Sequence, residues 1–166
     1  MLKREVYSSD EKRQNVEKYF DMIYKLALSQ TKSREHADDV VQEVFLRYLK
    51  TDTDFESDEH IKAWLIRVTV NCSRNVFTNS WNKKTVPLSE REEQITFDTH
   101  EKSDVYYAVM ELPQKYRAVI HLFYYEDMSI EDISKYLNTN SSTVKSQLSR
   151  GRKLLGEKLK GGYDFV

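Results

Sequence analysis

Three residue types that punctuate or staple folds are scarce in this chain. Its 166 residues include one cysteine, two prolines and four glycines. The lone Cys72 has no partner for an internal disulfide, which argues against a disulfide-stapled secreted domain and makes a cytoplasmic setting the expectation. So few glycines and prolines favour helices over a turn-rich sheet fold. No apolar run approaches the roughly 20 residues that span a bilayer, so no membrane insertion is expected. The stretch MLKREVYSSDEKRQ is polar throughout and does not read as a signal peptide. Phosphate loops, nucleophile elbows and zincin motifs are also missing. His36, His60, His100 and His121 are scattered, and no Cys/His cluster suggests zinc, so neither metal nor cofactor is expected. Asp38 and Asp39 are neighbours on a helix and diverge rather than converge on a substrate. Cys72 lacks an evident base and reads as a buried small hydrophobe. An enzyme is therefore not expected.

What is present is enough apolar material for a core, with 39% hydrophobic and 32% charged residues. The net charge of −1 conceals an alternation. Residues 35–59 hold nine acids against two bases, and 67–84 hold four bases and no acid. Residues 89–111 then hold seven acids against two bases, and 141–160 six bases against one acid. Two basic segments suggest two contacts with a polyanion, and two acidic ones a protein partner or plain solubility.

Helical spacing recurs along the chain. Val16, Tyr19, Phe20, Ile23, Tyr24 and Ala27 form one apolar series. Ser33 is a candidate N-cap for the next helix, whose stripe is Ala37, Val40, Val41, Val44, Phe45 and Tyr48. After the polar loop around Phe55, a third helix places Ile61, Trp64, Leu65, Val68 and Cys72 on one side; Trp64 reads as core. Periodicity lapses from about Asn82 to Thr99, a charged linker. It resumes with Val105, Ala108, Val109 and Leu112, breaks at Pro113, and continues with Tyr116, Val119, Ile120, Phe123 and Tyr124. The expected fold is all-α, with two small helical domains. The boundaries are 1–81, a linker over 82–102, a second domain over 103–160 and a tail over 161–166.

The segment SIEDISKYLNTNSSTVKSQLSRGRKLL, Ser129 to Leu155, carries the most specific pattern. Ser129 caps a short helix with Glu131 and Asp132 in its first turn, where the helix dipole favours acids. Asn138 to Asn140 make a tight turn, and Asn accepts the left-handed conformation where Gly is absent. Ser141 or Ser142 can cap the second helix. Val144, Leu148, Gly151 and Leu155 form its inner stripe; Ser142, Ser146, Ser149, Arg150 and Lys153 lie opposite, flanked by Lys145 and Arg152. This is helix-turn-helix geometry, able to offer Ser, Lys and Arg to base edges in a major groove. A helical hairpin with a solvated basic face would show the same charge. The agreement of turn, caps and outer face favours DNA.

That segment resembles the C-terminal helix-turn-helix of the sigma-70 family of RNA polymerase sigma factors. HADDVVQEVFLRYLK resembles the family's polymerase-binding helix, HIKAWLIRVTVNCSRNVF its promoter-melting segment, and MELPQKYRAVIHLFYYEDMS the lead-in to its C-terminal domain. The motifs stand in the family's order, and the linker leaves no room for a middle domain. The resemblance is therefore to the extracytoplasmic-function (ECF) class, and the expected domains are sigma2 and sigma4.

The resemblance implies roles by position. Asp38, Asp39, Gln42, Glu43 and Leu46 stand where the family docks on the β′ clamp helices of core RNA polymerase, and the flap of the β subunit is a second expected contact. Asn71 stands where related factors capture a flipped base of the minus-ten element, and the loop around Phe55 matches the one that helps form that pocket. An Asn amide supplies both donor and acceptor to a base edge. Arg67 and Arg74, with Trp81, Lys83 and Lys84, suit single-stranded DNA. Lys145, Ser146, Ser149, Arg150 and Lys153 match positions that read the minus-thirty-five element, and Arg152 is placed for phosphate. Asn138 stands where Gly is common in the family, and the segment after Asn75 carries fewer Arg than usual. Promoter DNA, core polymerase and an anti-sigma factor are the implied partners. Two rivals remain at this level: a helix-turn-helix regulator that never engages polymerase, and a sigma mimic that sequesters an anti-sigma factor.

Overall fold

A computed structural model describes residues 9–78 and 104–162, with side chains over 9–76 and 104–160. The expected linker, Trp81, Lys83 and Lys84 lie outside the described residues. Among the described residues the structure is all helical. Helices α1 (Ser9–Thr31), α2 (Arg34–Lys50) and α3 (Asp58–Thr78) form the N-terminal bundle. The C-terminal unit holds α4 (Asp104–Met110), α5 (Gln114–Ile120), α6 (Ile130–Leu137) and α7 (Ser141–Gly162).

The N-terminal bundle follows its apolar stripes. Ile23, Leu26, Val40, Val44, Tyr48, Ile61, Leu65 and Ile66 are fully or almost fully buried. Ser33 caps α2 as expected, its hydroxyl accepting from the His36 amide at 3.4 Å. At the far end of α2, the Lys12 ammonium donates to the carbonyls of Tyr48, Leu49 and Thr51 at 3.3–3.4 Å. A cation there meets the negative end of the helix dipole and satisfies carbonyls with no partner inside the helix. Phe20 departs from its stripe: it is exposed, stacked on Phe45 and Tyr24 at 6.1 Å.

In the C-terminal unit, Pro113 sits immediately before α5, where its missing N–H costs nothing. Past Ile120 the coil widens into one π turn, His121–Tyr125. The extra residue per turn rotates the chain, so Leu122 is buried while Tyr124, expected on the apolar face, is exposed. Ser129 caps α6, accepting from the Asp132 amide at 3.1 Å. Asn138 closes it in the left-handed region, φ 52° and ψ 46°, as the turn requires. Asn140 is the residue flanking α7: its carbonyl accepts the first helical bond, from the Val144 amide at 3.0 Å, and Ser141 is already helical. Gly151 lies where α7 crosses α5. A Cβ there would stand 3.1 Å from Ile120 Cγ1, so Gly permits the close approach.

The two units pack against each other. Helix α3 meets α6, and α1 meets α5 and the π turn. Between them Gln30 is wholly buried near the end of α1.

Candidate polymerase and nucleic-acid interfaces

On α2, the inward stripe turns the opposite face to solvent. Asp38, Asp39 and Gln42 are exposed, and Leu46 is 49% exposed. Glu43 is half-buried and accepts from Arg47 Nε at 2.7 Å, so its charge is already answered within the helix. Leu49, 48% exposed one turn beyond Leu46, extends the apolar end of this face. The sequence stripe did not single it out, although its spacing of three from Leu46 is the signal that finds it. The surface is thus acidic at its N-terminal end and apolar at its C-terminal end.

On α3, Arg67, Asn71 and Arg74 follow i, i+4, i+7 and share one face. Asn71 and Arg74 are exposed. Arg67 is half-buried, and its guanidinium donates to the carbonyls of Tyr136 and Lys135, both at 3.3 Å. Phe55 is only 5% exposed. Its ring packs on His60, Tyr48 and Trp64 at centroid distances of 5.1–5.8 Å. Phe55 therefore fastens the loop before α3. Beside it a cleft of about 330 Å³ is lined by Glu56, His60, Trp64, Arg67 and Lys135 among others. Trp64 is half-buried, as a core-facing aromatic at the cleft wall. Cys72 is buried, which pushes its thiol up and suits a packing role.

Helix α7 buries Val144, Leu148 and Gly151 and exposes Lys145, Ser146, Ser149, Arg150, Arg152 and Lys153. Arg152 is held locally: its Nε donates to the Tyr124 hydroxyl at 2.6 Å, and its guanidinium lies over the Phe123 and Tyr124 rings. A notch of about 280 Å³ beside α7 is lined by Lys115, Tyr116, Ser142, Ser146, Gln147 and Arg150 among others. Arg150 pulls the Tyr116 phenol below its ordinary value by hydrogen bonding, with Lys115 adding to the effect. Lys115 thus joins the basic face from α5, and an edge of the buried Tyr116 lines the notch. Sequence periodicity places Tyr116 in the core, as found, and gives no sign of Lys115.

No group of three or more His, Cys, Asp or Glu among the described residues could hold a metal. No described helix is long and apolar enough to cross a membrane.

Comparison with known proteins completes the picture. Residues 16–83 match the family model of sigma-70 region 2, and residues 102–155 that of sigma-70 region 4. The chain belongs to the ECF class of the sigma-70 family. RNA polymerase sigma factor SigV of Bacillus subtilis is 31% identical over 136 residues, which span 80% of this chain and 81% of that protein. The fold is shared with CnrH, solved in complex with the cytosolic domain of CnrY (TM-score 0.70, 22% identity, covering 97% and 96% of the two chains). It is also shared with the sigma factor RpoE, solved with the anti-sigma factor NepR from Bartonella quintana (TM-score 0.64, 23% identity, covering 89% and 96%). As a sigma factor the chain binds core RNA polymerase and directs promoter-specific initiation.

Proposed function

We propose that the sigma-factor role is divided among three surfaces of this chain. The acidic and apolar face of α2, from Asp38 and Asp39 through Gln42 and Glu43 to Leu46, docks on the β′ clamp helices. The β flap takes the C-terminal unit. Charge complementarity with a basic partner speeds docking, and Leu46 and Leu49 supply apolar area. On α3, Asn71 hydrogen-bonds an extruded base of the minus-ten strand while Arg67 and Arg74 meet its phosphates. On α7, Lys145, Ser146, Ser149, Arg150 and Lys153 read the minus-thirty-five duplex. The proposed domains are the two units, sigma2 over 1–81 and sigma4 over 103–160.

The carrying observation is the exposed face of α7, where five side chains that can reach DNA stand opposite a buried Val144, Leu148 and Gly151. No covalent chemistry belongs to this chain: binding energy opens the promoter and the polymerase performs catalysis. The reading carries a cytoplasmic location with it. An anti-sigma factor is the expected regulator, since CnrH and RpoE were each solved with a partner of their own. Core-polymerase pull-down followed by transcription in vitro tests the proposal. The expected result is a promoter-specific transcript that depends on this chain; binding without a transcript would favour a sequestering mimic, and no binding a free-standing regulator.

A further inference from the structure

The π turn hands two aromatic rings to α7. In a regular helix Tyr124 would follow Ile120 by one turn into the core. The π turn, His121–Tyr125, instead buries Leu122 and leaves Tyr124 51% exposed. An exposed tyrosine adds little to the core, and single π turns recur at functional sites. What Tyr124 does hold is Arg152. The Arg152 Nε donates to its hydroxyl at 2.6 Å. The guanidinium carbon lies 5.3 Å from the Phe123 ring centroid and 5.6 Å from that of Tyr124. The two rings meet edge to face, with centroids 4.9 Å apart, and form a corner behind the guanidinium.

An arginine resting on aromatic rings is ordinary surface packing. This one is distinguished by the edge it uses. A guanidinium offers paired donors along two kinds of edge, Nε with one Nη, or Nη1 with Nη2. Binding Nε to Tyr124 occupies the first and leaves the second, two parallel N–H groups that match a phosphate. The acceptor already held is a neutral hydroxyl, so the positive charge is not neutralised there. Arg152 is also exposed. Its position agrees with a role in binding DNA. It follows Lys145 by seven residues and Ser149 by three, so it runs along the flank of the reading face. A helix lying in a major groove has a sugar-phosphate wall on either side.

We propose that Tyr124 is a positioning residue for DNA binding. With Phe123 it holds the Arg152 guanidinium as a preset two-pronged seat for one phosphate of the minus-thirty-five duplex. The π turn is the local device that puts the hydroxyl there. The proposal rests on the reading of α7 as the face for the duplex. A mobile arginine loses rotamer freedom when it grips a phosphate; one already held loses less, so the same contact binds more tightly. The seat reads no base. It fixes how α7 is set in the groove, and so which base edges Ser146, Ser149 and Arg150 meet.

The test uses holoenzyme reconstituted from the full chain and core polymerase. Its promoter duplexes carry one neutral methylphosphonate at successive positions around the minus-thirty-five element. Wild type should lose binding at the seated phosphate, and Arg152→Ala should be indifferent to substitution there. Arg152→Ala should also lower the slope of log K against log salt by about 0.9. Tyr124→Phe keeps both rings and removes only the hydroxyl. It should weaken duplex binding by about twofold to tenfold, the range for one lost hydrogen bond, with the slope unchanged. Made in the Arg152→Ala background, the same change should have no effect, because Tyr124 acts through Arg152. Equal weakening in both backgrounds would overturn the proposal. So would an Arg152→Ala holoenzyme with the wild-type interference pattern. A duplex with a scrambled minus-thirty-five element separates the two levels: equal binding of it by wild type would sink the reading of α7. Preference for the true element, with an unaltered Arg152→Ala pattern, would sink the seat alone.

Discussion

Helix α7 and helix α3 both carry arginines toward solvent-side faces, and they differ in what already holds those arginines. On α7, Lys145, Ser146, Ser149, Arg150 and Lys153 are exposed. Arg152 is tied down by its own unit, through Tyr124. On α3 the central arginine, Arg67, is bound by the opposite unit while Asn71 and Arg74, one and two turns on, stay exposed. A reading helix for duplex DNA can be built complete, because its target is already formed. A surface for melted DNA has no target until the duplex opens, and its polar groups find partners within the chain meanwhile.

The comparison breaks most severely if α7 loses its seat. Leu148 is 1% exposed beneath the reading face. Leu148→Ala should cost about 2–5 kcal/mol, the range for large-to-small changes in a packed core. Denaturant unfolding would show this as a lowered midpoint, and minus-thirty-five recognition should vanish while pull-down through α2 persists. Retained duplex recognition at a lowered midpoint would mean that the face does not depend on this packing.

Arg150→Ala addresses the reading face directly. If Arg150 contacts a base edge, its loss should weaken duplex binding by about 1–3 kcal/mol and relax preference at one position of the minus-thirty-five element. Selection of promoter variants reads that position, and an unaltered preference would reduce Arg150 to a phosphate contact or to none. Tyr116, which lines the same notch as Arg150, would sharpen the result. Tyr116→Phe should loosen the same position by less.

The asymmetry between the helices also explains what was legible in the sequence. The caps at Ser33 and Ser129, the left-handed Asn138 and the inner stripe of α7 all depend on residues within a few positions of one another, and local spacing reveals them. The engagement of Arg67 does not: its acceptors are backbone carbonyls 68 and 69 positions away. Backbone carbonyls carry no residue signature. Tyr136 lies three residues after Ile133, on the flank of the Ile130, Ile133 and Leu137 stripe, and that spacing does not show that it packs on α3. The resemblance places Phe55 in a pocket-forming loop, and local spacing gives no sign of how buried its ring is. Its burial is set by Tyr48, His60 and Trp64, which converge on it from two helices. The exposed Tyr124 follows from the π turn, a local change of period that a 3.6-residue template passes over.

Asn71 tests the α3 side with a smaller expected effect. Asn71→Ala removes a donor and an acceptor while burying nothing new, so the loss should be about 0.5–1.5 kcal/mol for the hydrogen bonds to an extruded base. Permanganate reactivity of the minus-ten region should fall with the holoenzyme, and binding to core polymerase should be unchanged because α2 is untouched. A wild-type footprint would remove Asn71 from base capture and leave the arginines as the whole of the α3 contact.

The smallest effects separate the helices by the kind of nucleic acid each meets. A phosphate contact contributes to the salt dependence of binding by about 0.9 per phosphate on duplex DNA and about 0.7 on a single strand. Lys153→Ala should therefore lower the slope of log K against log salt by about 0.9 with a minus-thirty-five duplex, and leave it unchanged with a minus-ten single strand. Arg74→Ala should lower the single-strand slope by about 0.7 and leave the duplex slope alone. Titrations at several salt concentrations with both probes read all four values. If Lys153→Ala changed both slopes, the basic face of α7 would be acting as a general polyanion surface. Its distinction from α3 would then rest on Ser146, Ser149 and Arg150 alone, the residues whose contacts depend on base identity rather than on charge.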